Sequence, residues 1–502
     1  MKAKLALLMV LISLPVAACS AALPTPAQPE PAEGTTIPAV EDAAPHPVAL
    51  PGNPAALSFP TAGFIASEIL GRPTGHSITV NVVPGEDVEV LFEYGVATDG
   101  FHAATPQLMC YAGEPVEVVI DGLSPDTDYI YRVRFRRPGE DAFSAGPTHQ
   151  FHTWRPQGAA FTFDVQADTH LDEGVIPELY RQALQNILAD EPDFLIDLGD
   201  TFMSTKTAAD ENDVVARHLL QRDYFGSTCH SVPLYLVLGN HEGELGWLLD
   251  GTADNMAVWA TQARQRYYVN PLPDGFYSGD TTQYEFVGLR ESCYAWEWGD
   301  ALFIALDPYW LTTSKPKVPE ESWNWTLGKD QYDWLAAELR ASTARFKFVL
   351  IHHLTGGAES VARGGIEAAP YFEWGGLNAD GTAGFAEHRP GWEMPIHDLL
   401  VETGVSAVFH GHDHFFGYQQ LDGIVYQEVP QPGHPANEKQ SPGAAYGYVQ
   451  GTLLSSPGHL RVNVSPEQVQ VEYIRATLPG DASGTVSNGE VVFSYVISSH
   501  AL

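Results

Sequence analysis

The 502-residue sequence predicts an α/β domain preceded by an all-β sandwich. Three observations carry this. Between Ser77 and Thr153 short segments alternate apolar and polar residues at period two, with Gly, Pro and Asp between them, the pattern of antiparallel strands buried on one face. After Pro156 continuous apolar runs alternate with amphipathic stretches, as in buried sheets with helices between their strands. A 44 % hydrophobic composition with 11 Trp, 21 Tyr and 23 Phe supplies cores for both regions and excludes a disordered chain.

The N-terminus reads as a leader. Lys2 and Lys4 precede an apolar stretch, Leu5 to Leu14, too short for a stable span, which ends in Val16-Ala17-Ala18 before Cys19. Residues 1–18 are therefore expected to be a signal peptide. Small residues directly before a cysteine resemble a bacterial lipobox, which implies cleavage before Cys19 and lipidation of its sulfur; an ordinary signal-peptidase site is the alternative. Residues 19–60, dominated by Pro, Ala and Glu, suit an extended tether. The expected location is an exported bacterial lipoprotein facing the periplasm or exterior, or a secreted protein, with membrane attachment only through Cys19.

The sandwich is expected over residues 61–155, with strands at Ser77–Val83, Val88–Tyr94, Pro115–Ile120, Asp128–Phe135 and Gly146–His152. The segment from Ile120 to Val133, with Leu123, Pro125 and Tyr129, resembles the corner of fibronectin type III-like domains, which implies a spacer or docking module. No cysteine lies in a C-x-x-C pair; Cys229 and Cys293 could form a disulfide, leaving Cys110 over, but buried free thiols fit equally.

Residues 156–502 are expected to form the second domain. Its apolar runs are Phe161–Ala167, Phe194–Leu198, Leu234–Leu238, Ala301–Leu306, Phe346–Ile351 and Ser406–Phe409, with amphipathic helices at Pro177–Ala189 and Asp330–Ala341. All the runs but the fourth end in residues able to bind a metal: Asp168-Thr169-His170, Gly199-Asp200, Gly239-Asn240-His241-Glu242, His352-His353 and His410-Gly411-His412-Asp413-His414. Taken singly, each is an ordinary turn, cap or buried histidine. In an open α/β sheet, however, loops at the carboxyl ends of strands converge on one crevice, so five such endings would meet in space. Mixed Asp, Asn and His donors without thiolate suit Zn, Mn, Fe, Co or Ni, and two ions about 3.5–4 Å apart are a standard device for displacement at phosphorus.

On these motifs the sequence resembles the calcineurin-like metallophosphoesterase superfamily, over about Ala160 to Ala476. The resemblance implies a four-layer αββα sandwich of two mixed sheets flanked by helices, and a dinuclear centre of two divalent or mixed-valence ions, Zn, Mn or Fe. Asp168, His170, Asp200 and His414 would hold one ion and Asp200, Asn240, His352 and His412 the other, Asp200 bridging. His241 would be the catalytic histidine that stabilises the transition state or protonates the leaving group. The segment Tyr267-Tyr268-Val269-Asn270-Pro271 through Tyr277, with the preceding sandwich, resembles the purple acid phosphatase-like branch. There a Tyr three residues after the bridging Asp binds ferric iron; here that position is Met203, so no tyrosinate-to-iron colour is expected.

The reaction implied is hydrolysis of phosphate monoesters by attack of a metal-bound hydroxide, with a small phosphorylated substrate. A phosphodiesterase, nucleotidase or pyrophosphatase with the same centre is the alternative. A surface-binding protein with a vestigial site is a weaker one, since every position of the ligand series is filled. His353, His410 and Asp307 are expected to support the ligands or the fold rather than bind metal. The long stretch Gly356–Trp392, with Tyr371, Phe372, Trp374, Phe385 and Trp392, reads either as a substrate lid or as a local hydrophobic cluster, and Arg363 and Arg389 as candidate phosphate clamps. The net charge of −37 excludes a basic nucleic-acid-binding face. With only Asp168 and Asp200 as acids in the ligand set, two divalent cations would make the crevice locally positive.

Overall fold

Alternation at period two does build an antiparallel sandwich. The computed structural model describes residues 61–357, 363–435, 443–480 and 486–499; the expected signal peptide, tether and Cys19 lie outside them. The main sandwich strands are β1 (Phe64–Gly71), β2 (Ser77–Pro84), β3 (Val88–Val96), β4 (Val116–Asp121), β5 (Asp128–Arg136) and β6 (His149–His152). One sheet runs β1-β2-β4; the other is centred on β3 and β5, with β6 and short edge strands. The two close on Val80, Val90, Phe92, Ile120, Tyr131 and Val133. At the corner Leu123 is buried and the Tyr129 hydroxyl accepts the Ser124 backbone N–H at 2.9 Å.

Strand β1 was not expected, and its burial explains why. Seven of its eight residues are buried, Ser67 and Glu68 included, and its register with β2 shifts twice. A strand covered on both faces carries no alternation.

The second region contains β7 (Phe161–Gln166), α1 (Pro177–Asp190), β8 (Phe194–Asp197), α2 (Glu211–Phe225), β9 (Leu234–Leu236), α3 (Met256–Tyr267), β10 (Tyr294–Trp298), β11 (Ala301–Ala305), α4 (Lys329–Ala341), β12 (Phe346–Leu350), α5 (Ile396–Glu402), β13 (Ala407–His410), β14 (Phe415–Leu421), β15 (Ile424–Glu428), β16 (Thr452–Ser455), β17 (Gly458–Val464), β18 (Gln468–Arg475) and β19 (Val491–Ser498). The first sheet has the order β9-β8-β7-β17-β18-β19 and the second, after a two-residue edge strand, β10-β11-β12-β13-β15-β14-β16. Within them β9, β8 and β7 run parallel, as do β11, β12, β13 and β15. The strand ends bearing the Asp and His motifs therefore emerge in register.

Helix formation follows local rules. Pro177 opens α1, whose Leu179, Tyr180, Ala183, Leu184 and Ile187 form its buried stripe. Asp210 and Asn255 cap α2 and α3 by accepting the N–H of Asp213 and Val258. These three helices cover the first sheet, while α4 and α5 cover the second. Between the sheets lies an aromatic core in which Phe163 meets Phe303 edge-on at 5.0 Å and Trp296 stacks on Phe303 at 4.8 Å. This is the expected four-layer αββα arrangement. Among the described residues no helix is long and apolar enough to cross a membrane.

Other expectations resolve locally. Cys110, Cys229 and Cys293 are buried free thiols. In the stretch Gly356–Trp392, whose residues 358–362 lie outside the described set, the aromatics form a hydrophobic cluster: Trp374 is fully buried and donates to the Tyr426 hydroxyl at 2.9 Å, Phe372 meets Trp323, and Trp392 lies 4.3 Å from Tyr332.

The described residues belong to one compact unit, and the sandwich is joined to the α/β region by buried polar contacts. Tyr277, in the segment after α3, donates its hydroxyl to the Pro73 carbonyl at 2.6 Å and lies 2.9 Å from the Tyr235 hydroxyl. Tyr131 reaches the His230 carbonyl at 2.6 Å. Tyr277→Phe should therefore lower the unfolding free energy by about 1 kcal/mol, read as an earlier midpoint in urea denaturation; an unchanged midpoint would show that this contact contributes nothing.

Candidate metal centre

The expected ligands stand where parallel strands end, and the chain bends sharply to present them. Asp168, His170, Asp200, His412 and His414 all have positive φ, from 49° to 83°, a left-handed conformation costing non-glycine residues roughly 1 kcal/mol or more each. Cross-strand bonds hold them there: Asp168 N–H to Gly199 O at 2.9 Å, His170 N–H to Asp200 O at 3.0 Å and Gly411 N–H to His352 O at 2.9 Å. A methyl on Gly199 would overlap the backbone of Gly239, and one on Gly239 would overlap the backbone and carboxylate of Asp200.

The donors form two groups. Asp168, His170 and His414 each offer one atom within 4.8 Å of the others, as do Asp200, His352 and His412. Asp200 lies between them: its Oδ2 is 3.2 Å from His352 Nε2 and 3.7 Å from His170 Nε2, the position of a bridging carboxylate. Asp168 Oδ1 is 3.6 Å from His170 Nε2 and 3.5 Å from His414 Nε2.

Residues of this kind normally find hydrogen bonds when buried, yet Asp168 Oδ1, His170 Nε2, Asn240 Oδ1, His352 Nε2 and His412 Nδ1 are buried without a partner. Oxygen and imidazole atoms without sulfur match borderline divalent cations, so the set fits two ions. Asn240 belongs to neither group of three, and its place rests on its own orphaned oxygen and on its neighbours: Gly239 N–H bonds Glu242 and His241 N–H bonds Asp200 Oδ1, at 2.7 and 2.8 Å.

The supporting contacts fix orientation. His352 Nδ1 bonds the Leu198 carbonyl at 2.9 Å, leaving Nε2 inward, and His412 N–H donates to Asp168 Oδ2 at 2.8 Å. His241, beside the centre, has Nδ1 2.7 Å from Thr205 Oγ1 and Nε2 4.0 Å from Asp200 Oδ2. His410 pairs with Glu428 at 2.7 Å, and His353 packs against Trp325 and Tyr309. Asp307 binds Arg290, Ser292 and the Tyr309 N–H. All three have the supporting roles expected of them.

One expectation needs correction. Arg389 pairs with buried Glu373 and bonds the carbonyls of Trp323 and Trp325, and Arg363 pairs with Asp413 at 2.8 Å, so neither is a free phosphate clamp. Nor are Asp168 and Asp200 the only nearby acids. Glu242 accepts the N–H groups of Thr201 and Gly239, both at 2.7 Å, clipping together the loops that carry Asp200 and Asn240. Burial, then the Asp200 charge, pushes its pKa up to about 8. Burial likewise raises Asp197 to about 7 and Asp413 to about 6. These carboxyls lie outside the expected ligand set, whose acids are Asp168 and Asp200, and their raised pKa values keep Glu242 mostly protonated and Asp197 partly so near neutral pH.

Tyr309 is the neighbour that strand-end reasoning missed, and Glu242, though it stands in a strand-end motif, had no role assigned to it. The Tyr309 hydroxyl is buried without a partner, with its ring 6.5 Å from that of His352. Its signal was faint, since it lies three residues beyond the one apolar run not assigned metal ligands. Met203 is fully buried, as an apolar side chain would be.

The model of the calcineurin-like phosphoesterase family matches residues 161–416. The chain belongs to that family. Among solved structures this phosphoesterase is similar to PhoD, with a TM-score of 0.63 at 17 % identity over 88 % of this chain and 92 % of that one. It is also similar to the purple acid phosphatase PPD1 from yellow lupin (Lupinus luteus) seeds, with a TM-score of 0.58 at 15 % identity over 86 % and 74 %. These likenesses agree with the purple acid phosphatase-like branch of the fold. No curated protein matches the chain.

Without cations, the carboxylates of the phosphoesterase hold protons on two of its imidazoles, His170 and His352. Burial opposes protonation of His170, but the nearby carboxylates of Asp168 and Asp200 outweigh it and push the pKa up to about 10; burial likewise opposes protonation of His352, which the charges of Asp200 and Asp168 raise to about 9. Below pH 9 both rings are protonated and must lose those protons to bind an ion. Loading metal near pH 7.5 should therefore release about two protons per chain, measured by calorimetry in buffers of differing ionisation enthalpy. Buffer-independent heats would contradict the arrangement. Glu242→Ala, which unclips both loops, should weaken metal affinity about 10–100-fold, read by competition with a chromogenic chelator.

Proposed function

We propose that this phosphoesterase is an exported hydrolase of phosphate monoesters, working at a dinuclear centre held by Asp168, His170, Asp200, Asn240, His352, His412 and His414. The observation that supports this most is the set of five buried donor atoms without partners at one group of strand ends. Two bound divalent ions would act there as Lewis acids, lowering the pKa of coordinated water and neutralising charge on the phosphoryl oxygens.

The chain's own residues then have distinct tasks. Asp200 would contribute to both metal positions, while the His352 ring is oriented by the Leu198 carbonyl and the His412 backbone N–H is held by Asp168. In its doubly protonated form His241 donates Nδ1–H to the Thr205 hydroxyl, 2.7 Å away, and carries a second proton on Nε2, which lies 4.0 Å from Asp200 Oδ2 on a side chain 19 % exposed. From that position it can protonate the leaving oxygen as the phosphorus–oxygen bond breaks. We read the sandwich as a fibronectin type III-like spacer, and Cys19 as the lipid attachment point of a bacterial lipoprotein.

The test is phosphate release from nitrophenyl phosphate and nitrophenol release from its bis-ester, with Asp200→Asn and His241→Asn compared against the unaltered chain. Asp200→Asn should fall to background on both. His241→Asn should keep its metal content and lose about 10²–10⁴ in kcat. Unchanged activity in Asp200→Asn would sink the site assignment, and faster turnover of the bis-ester would overturn the monoester reading.

A further inference from the structure

A third group of metal-type donors lies apart from this centre. Asp164 stands on β7 four residues before Asp168, roughly 13 Å back along the strand at about 3.3 Å per residue. Phe163 and Val165 enter the inter-sheet core, so Asp164 lies on the opposite face, under the helices. There it meets Asp190, the last residue of α1, and His459 on β17. His459 Nε2 is 2.9 Å from Asp190 Oδ2 and 3.7 Å from Asp164 Oδ2, and one donor atom from each of the three lies within 4.8 Å of the other two.

The decisive feature is Asp164 itself. It is fully buried, and neither carboxylate oxygen has a hydrogen-bond partner, an arrangement proteins avoid unless a cation or proton answers it. Arg461 does not answer it: its guanidinium is bound to Asp190 Oδ1 and Glu472, each at 2.8 Å. The C-terminus of the 14-residue helix α1, the negative end of its dipole, adds to the attraction for a cation. Asp190 is 11 % exposed and gives an ion a way in. Two carboxylates and an imidazole without thiolate suit Zn, Mn, Fe(II) or Co.

We propose that Asp164, Asp190 and His459 bind a third divalent cation, which clamps the end of α1 to β7 and β17 and takes no part in hydrolysis. In the metal-free chain, burial and the Asp190 charge push the Asp164 carboxyl well above its usual range, so it holds a proton that the cation displaces. The proposal does not rest on the phosphoesterase chemistry.

The test is metal counting and an anomalous-scattering map on protein loaded with Mn²⁺. The unaltered chain should carry about three ions and Asp164→Asn about two, with phosphate release retained and a lower melting temperature. The map of the unaltered protein should place a peak among Asp164, Asp190 and His459, which decides the matter even where the variant fails to fold. A map with full peaks at the dinuclear centre and none at Asp164 would overturn the proposal. A peak at Asp164 with none at Asp200 would uphold it while removing the dinuclear reading.

Discussion

Two carboxylates, Asp168 and Asp200, are buried side by side at the ends of adjacent parallel strands, and the rest of the site is arranged around that fact. Like charges withdrawn from water repel each other and lose their hydration, so the arrangement persists only with positive charge between and around them. Imidazoles of His170, His352 and His414 lie within 4 Å of one or both. In the metal-free chain His170 and His352 supply that charge as protons, although burial alone would drive those protons off, while burial pushes His414 down to about 4 and leaves it neutral. The same pocket can therefore be answered by protons or by divalent ions, and the ions are the stronger answer wherever the pH lets the rings deprotonate.

Holding the carboxylates in place requires strain as well as charge. Five of the candidate ligand residues sit at positive φ, and the glycines Gly199 and Gly239 let neighbouring loops touch. Such a backbone survives because the sheets beneath it are rigid, with Phe163, Phe194, Trp296, Phe303 and Phe348 interlocked between them. Glu242 adds a clip at the surface of this platform. Packing, backbone strain and ligand geometry are thus one chain of cause, in which the aromatic core fixes the strand ends and the strand ends fix the donor atoms.

Much of this is legible in the sequence, and the boundary of legibility has physical reasons. The ligand-bearing strands are short continuous apolar runs, and their endings carry residue types that few other roles bring together, so Asp168, His170, Asp200, His352, His412 and His414 could be named from pattern alone. Strand β1 could not, because burial on both faces erases its alternation. Strands β14 to β19 come after the last motif and complete both sheets without marking themselves by chemistry. Glu242 was visible beside His241, but its task, bonding two backbone N–H groups from different loops, depends on a contact across 41 residues. The aromatic stretch from Tyr371 to Trp392 had two readings that composition weighs equally, and only burial of Trp374 and Phe372 decides between them. Arg363 and Arg389 looked available because their partners Asp413 and Glu373 come from other turns of the chain.

The central claim is that these strand ends hold ions needed to hydrolyse a phosphate ester. Phosphate release by one sample of the full chain, before stripping with chelator, after it, and after reloading with Zn²⁺ or Mn²⁺, tests it most directly. The account predicts activity that falls to background on stripping and returns on reloading. A stripped, ion-free protein that still released phosphate at its original rate would contradict it.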